Sequence, residues 1–206
     1  MPALVSALHQ TSPERVTFAL DDGSEIKATL GVVAELRLFV GRALEDAELQ
    51  QLRASASMAL ARNRGLELLS YRPMSCRELG DKLTQKGETP EDAEAAVEWL
   101  REHGFLDDAR YAAQVVRHDA GKGYGEGRIR QELRRRGIQR ELWDEAFEEM
   151  PEPDDKLDRF LSSRLSDPGD RGQVKKVSAA LLRRGYSWEE IRAALARHRA
   201  EIEEET

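Results

Sequence analysis

Apolar positions recur every three or four residues along most of this chain, most clearly just before a glycine. Across residues 127–137 one apolar pair, Ile129 and Leu133, stands on a segment otherwise covered by arginines. That spacing predicts a helix with a single buried seam. Gly137 then stops the helix, because glycine readily takes the left-handed conformation common at helix ends. The same unit occurs at Leu79, Leu83 and Gly87, and again at Val177, Leu181 and Gly185. A basic residue precedes each glycine (Lys86, Arg136, Arg184), and Glu91, Glu141 or Glu189 follows four positions later. Ala96, Ala146 and Ala194 then stand nine positions beyond the glycines. The stop glycines are 50 and 48 residues apart, which defines an internal repeat.

Around these units the pattern places the remaining elements. In residues 15–30, Val16, Phe18 and Leu20 alternate, Asp22-Gly23 marks a turn, and Ile26, Ala28 and Leu30 alternate back: a β-hairpin. Residues 4–8 are a candidate third strand. Residues 32–39 are a short helix candidate ended by Gly41. From Asp46 a helical stripe runs through Leu49, Leu52, Ala56, Ala59 and Leu60 toward Leu69. Ser75 and Glu78 form a capping box ahead of a helix over 76–86, and Thr89-Pro90 opens the next. Tyr111, Ala112, Val115 and Val116 mark the first helix of a second triad, and Leu142, Trp143, Ala146 and Phe147 its third. Leu157, Phe160, Leu161 and Leu165 begin a third triad, which continues over 174–184 and closes with a helix opened by Ser187 and Glu190.

The expected division is a β-hairpin region with a short helix (1–45), three helical repeats (46–104, 105–150 and 151–200) and a frayed acidic tail (201–206). Pro151 and Pro153 separate the second repeat from the third. Repeats of about fifty residues bury too little surface to stand alone. Stacked, they share interfaces. The expected fold is therefore mainly α: tandem three-helix repeats in an elongated, curved body, preceded by a small antiparallel sheet.

Charge adds a second pattern. The 206 residues carry a net charge of −7, but the charges are segregated. Residues 117–140 hold eight Lys/Arg against three acids, and residues 171–199 hold eight against two. Residues 141–160 and 88–108 are each net −7. Acids at helix starts and bases at helix ends account for part of this, but three consecutive arginines, 134 to 136, exceed what a helix end needs. The single cysteine, Cys76, excludes an intramolecular disulfide and suits a reducing compartment. No apolar run approaches the ~20 residues of a membrane helix, and residues 1–9 lack the features of a signal peptide. A cytoplasmic protein is expected.

No catalytic constellation stands out. His9, His103, His118 and His198 are far apart and lack metal-ligand spacing, so neither metal nor cofactor is expected. Cys76 reads as a small, partly buried helix residue. Asp107-Asp108 resembles a paired carboxylate, but an N-cap followed by a first-turn acid is the simpler reading. The glycine-rich loop 121–127 is not a phosphate-binding loop motif. It reads either as a flexible connector or, through Lys122 and Arg128, as a contact to a nucleic-acid backbone. The basic helices are the main candidates for binding. Arg130 and Arg134 lie one turn apart on one face, while Arg128 and Arg135 share another with Arg136 close by. Lys175, Lys176, Arg183 and Arg184 repeat the theme fifty residues on. Guanidinium groups in such rows grip carboxylates or phosphates bidentately.

Residues 105–112 (Phe-Leu-Asp-Asp-Ala-Arg-Tyr-Ala), Arg128-Ile129-Arg130-Gln131-Glu132-Leu133 and Arg136-Gly137-Ile138 resemble the RecX family of bacterial regulators of the RecA recombinase. Residues 72–79 with Lys86-Gly87 are similar to that family's first repeat, and Arg183-Arg184-Gly185-Tyr186 fits the third. The resemblance implies a modular protein of three-helix repeats. It further implies a protein that binds along the groove of the RecA–single-stranded DNA filament, suppresses ATP hydrolysis and strand exchange, and favours filament loss. A monomer is expected. Glu126 departs from this pattern, standing where a more basic loop would be expected. The alternative is a stand-alone DNA-binding protein, since three-helix units also serve as helix-turn-helix readers. A hydrolase built on Asp107 and Asp108 lacks a base, a metal ligand and a nucleophile.

Overall fold

The structure, a computed structural model, describes residues 2–150 and 154–204. The chain divides into two compact units, residues 1–106 and 107–206.

The first unit opens on strands β1 (Ala3–Gln10), β2 (Arg15–Leu20) and β3 (Glu25–Thr29), followed by α1 (Leu30–Glu35) and the short strand β4 (Ala43–Leu44). The antiparallel sheet has the order β3-β2-β1-β4. The predicted hairpin is present, with Phe18 opposite Ile26. Gly23 adopts φ 82° at its tip, where the Asp22 carboxylate accepts the Ser24 amide at 2.8 Å. β1 is the candidate third strand, and β4 is an addition that the alternation of two residues could not reveal. α1 ends earlier than expected. The Arg42 guanidinium donates to the carbonyls of Leu36 and Arg37 and to Glu48, gathering the chain end before Gly41 is reached. Arg37 itself takes a left-handed turn at φ 49°.

Helix α2 (Asp46–Tyr71) follows; 26 residues give it a length of about 39 Å. Its first half packs Leu52 and Ala56 on the sheet core of Val5, Phe18, Leu20 and Ala28. The sheet is thus covered, as so few strands require. Its second half carries Ala61 into a different core with Leu79 and Leu83 of α3 (Cys76–Gln85) and Ala96 and Leu100 of α4 (Pro90–Glu102). At about 100° per residue, Leu52 and Ala61 point in nearly opposite directions. The single expected stripe is therefore two half-stripes on opposite faces. Ser75 accepts the Glu78 amide at 3.0 Å and Thr89 accepts that of Asp92 at 3.1 Å, as the capping signals predict.

The second unit contains α5 (Asp108–Gly121), α6 (Glu126–Arg135), a 3-10 turn (Arg140–Leu142) and α7 (Trp143–Glu148). Their core joins Tyr111, Val116, Ile129, Leu133, Ile138 and Trp143. Helices α8 (Asp154–Ser162), α9 (Arg171–Arg183) and α10 (Trp188–Glu204) form another core around Leu161, Val177, Leu181, Tyr186 and Ile191. Both arms of the box opening α10 form: the Ser187 amide donates to Glu190 at 2.6 Å, and the Glu190 amide donates to Ser187 Oγ at 3.2 Å. Residues 201–204, expected as part of a frayed tail, continue α10. Glu205 and Thr206, and the separating Pro151 and Pro153, lie outside the described residues.

The repeat signature has one structural meaning. Gly87, Gly137 and Gly185 adopt φ of 96°, 71° and 91°. In each case the next amide returns to the last seam carbonyl: Glu88 to Leu83, Ile138 to Leu133, Tyr186 to Leu181. These are Schellman turns, which satisfy helix-end carbonyls with backbone amides.

Candidate partner-binding face

Helix α6 buries only Ile129 and Leu133, and every other side-chain position on it is exposed or half-buried. Its arginines divide on the two flanks of that seam. On one flank, Arg130 donates to Glu126 at 2.6 Å, approaches Asp144 at 3.7 Å and lies 4.8 Å over Phe147. Arg134 lies 5.8 Å over Trp143. Stacking of this kind holds a guanidinium flat while leaving its N–H edge toward solvent.

The other flank is a cleft of about 380 Å³. Lys122, Arg128, Arg135 and Arg136 line it together with Tyr124, Gln131 and His118. Arg128 lies 4.3 Å over the Tyr124 ring, and no carboxylate pairs with it among the described residues. Glu132 anchors the floor: Arg135 donates to it at 2.6 and 2.7 Å and Arg136 at 2.7 Å. These bonds, led by Arg135, hold the Glu132 carboxyl down at about 2. Arg136 also donates to the Tyr111 hydroxyl and lies 5.4 Å over that ring, tying the cleft to the core. A second acid, Asp119, stands 3.7 Å from Lys122. The cleft thus offers cations beside an aromatic wall, suited to a phosphate backbone or an acidic protein surface.

Of the expected binding residues, the structure therefore gathers Lys122, Arg128, Arg135 and Arg136 and places Arg130 and Arg134 on the opposite flank. Lys175, Lys176 and Arg183 are exposed on α9, outside the cleft. Arg184 is directed inward, donating to the Gly123 carbonyl at 3.3 Å and lying 4.7 Å over Phe160. Sequence reasoning missed Tyr124, Gln131 and His118. Tyr124 stands four residues before Arg128 and Gln131 three after it, a helical spacing that could have flagged both.

The glycine loop is neither an open phosphate cradle nor a simple connector. The Gly125 amide donates to Arg184 O and the Gly127 amide to Gly185 O, each at 2.9 Å. A Cβ on Gly185 would stand 2.2 Å from the Arg128 nitrogen. The loop is a backbone joint between the second and third triads, and glycine is required where the two backbone segments touch. Asp107 caps α5, accepting the Arg110 amide at 2.9 Å, as the simpler reading holds. Among the described residues no group of three or more His, Cys, Asp or Glu could hold a metal ion. No helix among them is long and apolar enough to cross a membrane.

Comparison with known proteins bears on this architecture directly. Residues 61–100 match the family model for the first three-helix domain of RecX, and residues 107–146 match that for the second. The regulatory protein RecX of Vibrio vulnificus is 36% identical over 148 residues, covering 70% of this chain and 96% of that protein. That of Trichlorobacter lovleyi is 40% identical over 135 residues, covering 62% and 88% respectively. A crystal structure of regulatory protein RecX superposes with a TM-score of 0.68 at 26% identity, covering 93% of this chain and 99% of that one. RecX from Lactobacillus salivarius, at 19% identity and a TM-score of 0.61 over 70% of this chain and 97% of its own, shares the fold. With its repeated triads, its stop glycines and relatives matched over nearly their whole length, the chain belongs to the RecX family of regulatory proteins.

Proposed function

We propose that this chain is a non-enzymatic negative regulator of the RecA recombinase. It acts in the cytoplasm as a monomer, binds in the groove of the RecA–single-stranded DNA filament, lowers ATP hydrolysis and strand exchange, and favours filament disassembly. The observation that best supports this reading is the cleft on α6, where Arg128 stacks on Tyr124 beside Lys122 and Arg135. Such a surface grips an extended anionic partner without bond-making chemistry. Arg134 and the exposed Lys175, Lys176 and Arg183 extend the cationic surface.

The test is a time course of RecA ATP hydrolysis on single-stranded DNA, with this protein added well below equimolar. A sharp fall in rate is expected. The double variant Arg128→Glu/Arg135→Glu should weaken inhibition at least tenfold, with helicity by circular dichroism unchanged. Full inhibition by the variant would remove the cleft from the mechanism. Tight binding to naked DNA at physiological salt, with no effect on RecA, would instead favour a stand-alone DNA-binding protein.

A further inference from the structure

A series of contacts runs from the buried core of the second triad to the exposed end of α6. Tyr111, on α5, packs its ring in that core and is 6% exposed. Arg136, which follows the last residue of α6, donates to the Tyr111 hydroxyl and lies 5.4 Å over the ring. Its Nε also donates to Glu132 at 2.7 Å. Arg135 then grips both oxygens of the same carboxylate, at 2.6 and 2.7 Å. Exposure rises steeply at the last link, from 26% for the Arg136 side chain to 70% for that of Arg135.

Each link restricts the next. A guanidinium is a planar fork, so Tyr111 and Glu132 together fix the plane of Arg136. Glu132 is held in turn, and its two oxygens set the plane of Arg135. Alone, an exposed ion pair on a helix surface holds weakly. Anchored through Arg136 to a buried phenol, the Arg135 guanidinium keeps one orientation at the cleft before any partner arrives. Ordering a long side chain on binding opposes affinity, and a side chain already ordered avoids that loss. The two guanidiniums share the Glu132 carboxylate, so what the arrangement supplies is direction rather than extra charge.

We propose that Tyr111 is a positioning residue for the partner-binding cleft: through Arg136 and Glu132 it fixes the direction in which Arg135 meets an anionic partner. This role rests on the α6 cleft being the face that binds the filament. It makes a residue that touches no partner itself, buried on another helix, part of what sets the affinity of that face.

The test is Tyr111→Phe, which removes one oxygen and leaves the ring beneath Arg136. In the isolated full-length chain, NMR relaxation of the Arg135 Nε–H bond should show its order parameter falling toward the flexible range, below about 0.6. The same variant should raise the concentration for half-inhibition of RecA ATP hydrolysis about threefold, the worth of one modest hydrogen bond, with circular dichroism unchanged. In a Glu132→Gln background Tyr111→Phe should have no further effect on inhibition, because its influence passes through that carboxylate. Arg136→Lys keeps the charge but loses the fork, and should reproduce both changes. A purely structural role would lower the urea midpoint and leave Arg135 order and inhibition where they were; that result overturns the proposal, as does additivity of Tyr111→Phe with Glu132→Gln. A wild-type chain with no effect on RecA would sink the filament reading and this role with it. Unaltered Arg135 order in the variant, beside full inhibition by the wild type, sinks the positioning role alone.

Discussion

At the scale of single residues, Glu132 has the clearest measurable signature. Its carboxyl is held at about 2 by Arg135 and Arg136, against an ordinary value of 4.5. A depressed carboxylate stabilises the fold above the unfolded-state value and loses that contribution as pH falls through the folded one. Solvent screens the pair with the exposed Arg135, so the contribution at neutral pH is about 1 kcal/mol, well short of the roughly 1.4 kcal/mol per unit that an unscreened shift would give. Glu132→Gln should therefore lower stability in urea at pH 7 by about 1 kcal/mol and leave it nearly unchanged near pH 2, which denaturation curves at the two pH values would read. The stop glycines permit an internal control. Gly87 and Gly185 have nearly the same φ, but a Cβ on Gly87 meets open space and one on Gly185 meets the Arg128 backbone. Gly87→Ala should cost the strain of a left-handed alanine, about 1–2 kcal/mol. Gly185→Ala should cost at least about 3 kcal/mol, because overpacking adds to that strain; equal shifts in urea midpoint would refute the joint. The arginines were legible in the sequence, but their partners were not. The Tyr111 hydroxyl that holds Arg136 lies 25 residues away, and no local pattern encodes such a contact.

At the scale of elements, the helices were legible because their ends are chemically marked. Ser75, Thr89, Asp107 and Ser187 cap starts, and glycines close ends. What was not legible depended on long-range partners. α1 stops where Arg42 reaches back to it, and β4 exists because β1 offers it an edge. α2 shows both lessons. Its helicity was readable, but the change of buried face between Leu52 and Ala61 was not, since one stripe and two offset half-stripes look alike over so few apolar positions. Leu52→Ala and Leu100→Ala each remove a fully buried side chain, one from each core, and each should cost about 2–5 kcal/mol. Ala59→Pro interrupts the helix between its halves at a cost of about 3 kcal/mol or more. Calorimetry of that variant should then resolve two transitions within residues 1–106, where either truncation shifts a single one.

At the scale of the whole molecule, the alternation of basic and acidic blocks was fully present in the sequence, because charge counts need no contacts. Which cations face solvent in a shared cleft, and which are tied to the chain's own backbone, required the fold. Arg184 and Arg128 look equivalent as letters, yet one secures the joint and the other stacks openly on Tyr124. This difference is measurable if the chain contacts single-stranded DNA. Removing Arg128 and Arg135 should reduce the log–log salt slope of that binding by about 1.4, from roughly 0.7 per phosphate contact. Lys156→Gln should instead show up mainly in stability, through loss of its bonds to the end of α5.

Because the two halves of α2 are gripped from opposite sides, the interval from Leu52 to Ala61 works like the phase of a screw. Adding or deleting one residue there would turn the sheet by about 100° against the helical triad beyond it. Relatives of this protein should therefore vary freely in the identity of those intervening residues but keep their number fixed, and any length change should come in steps close to whole helical turns.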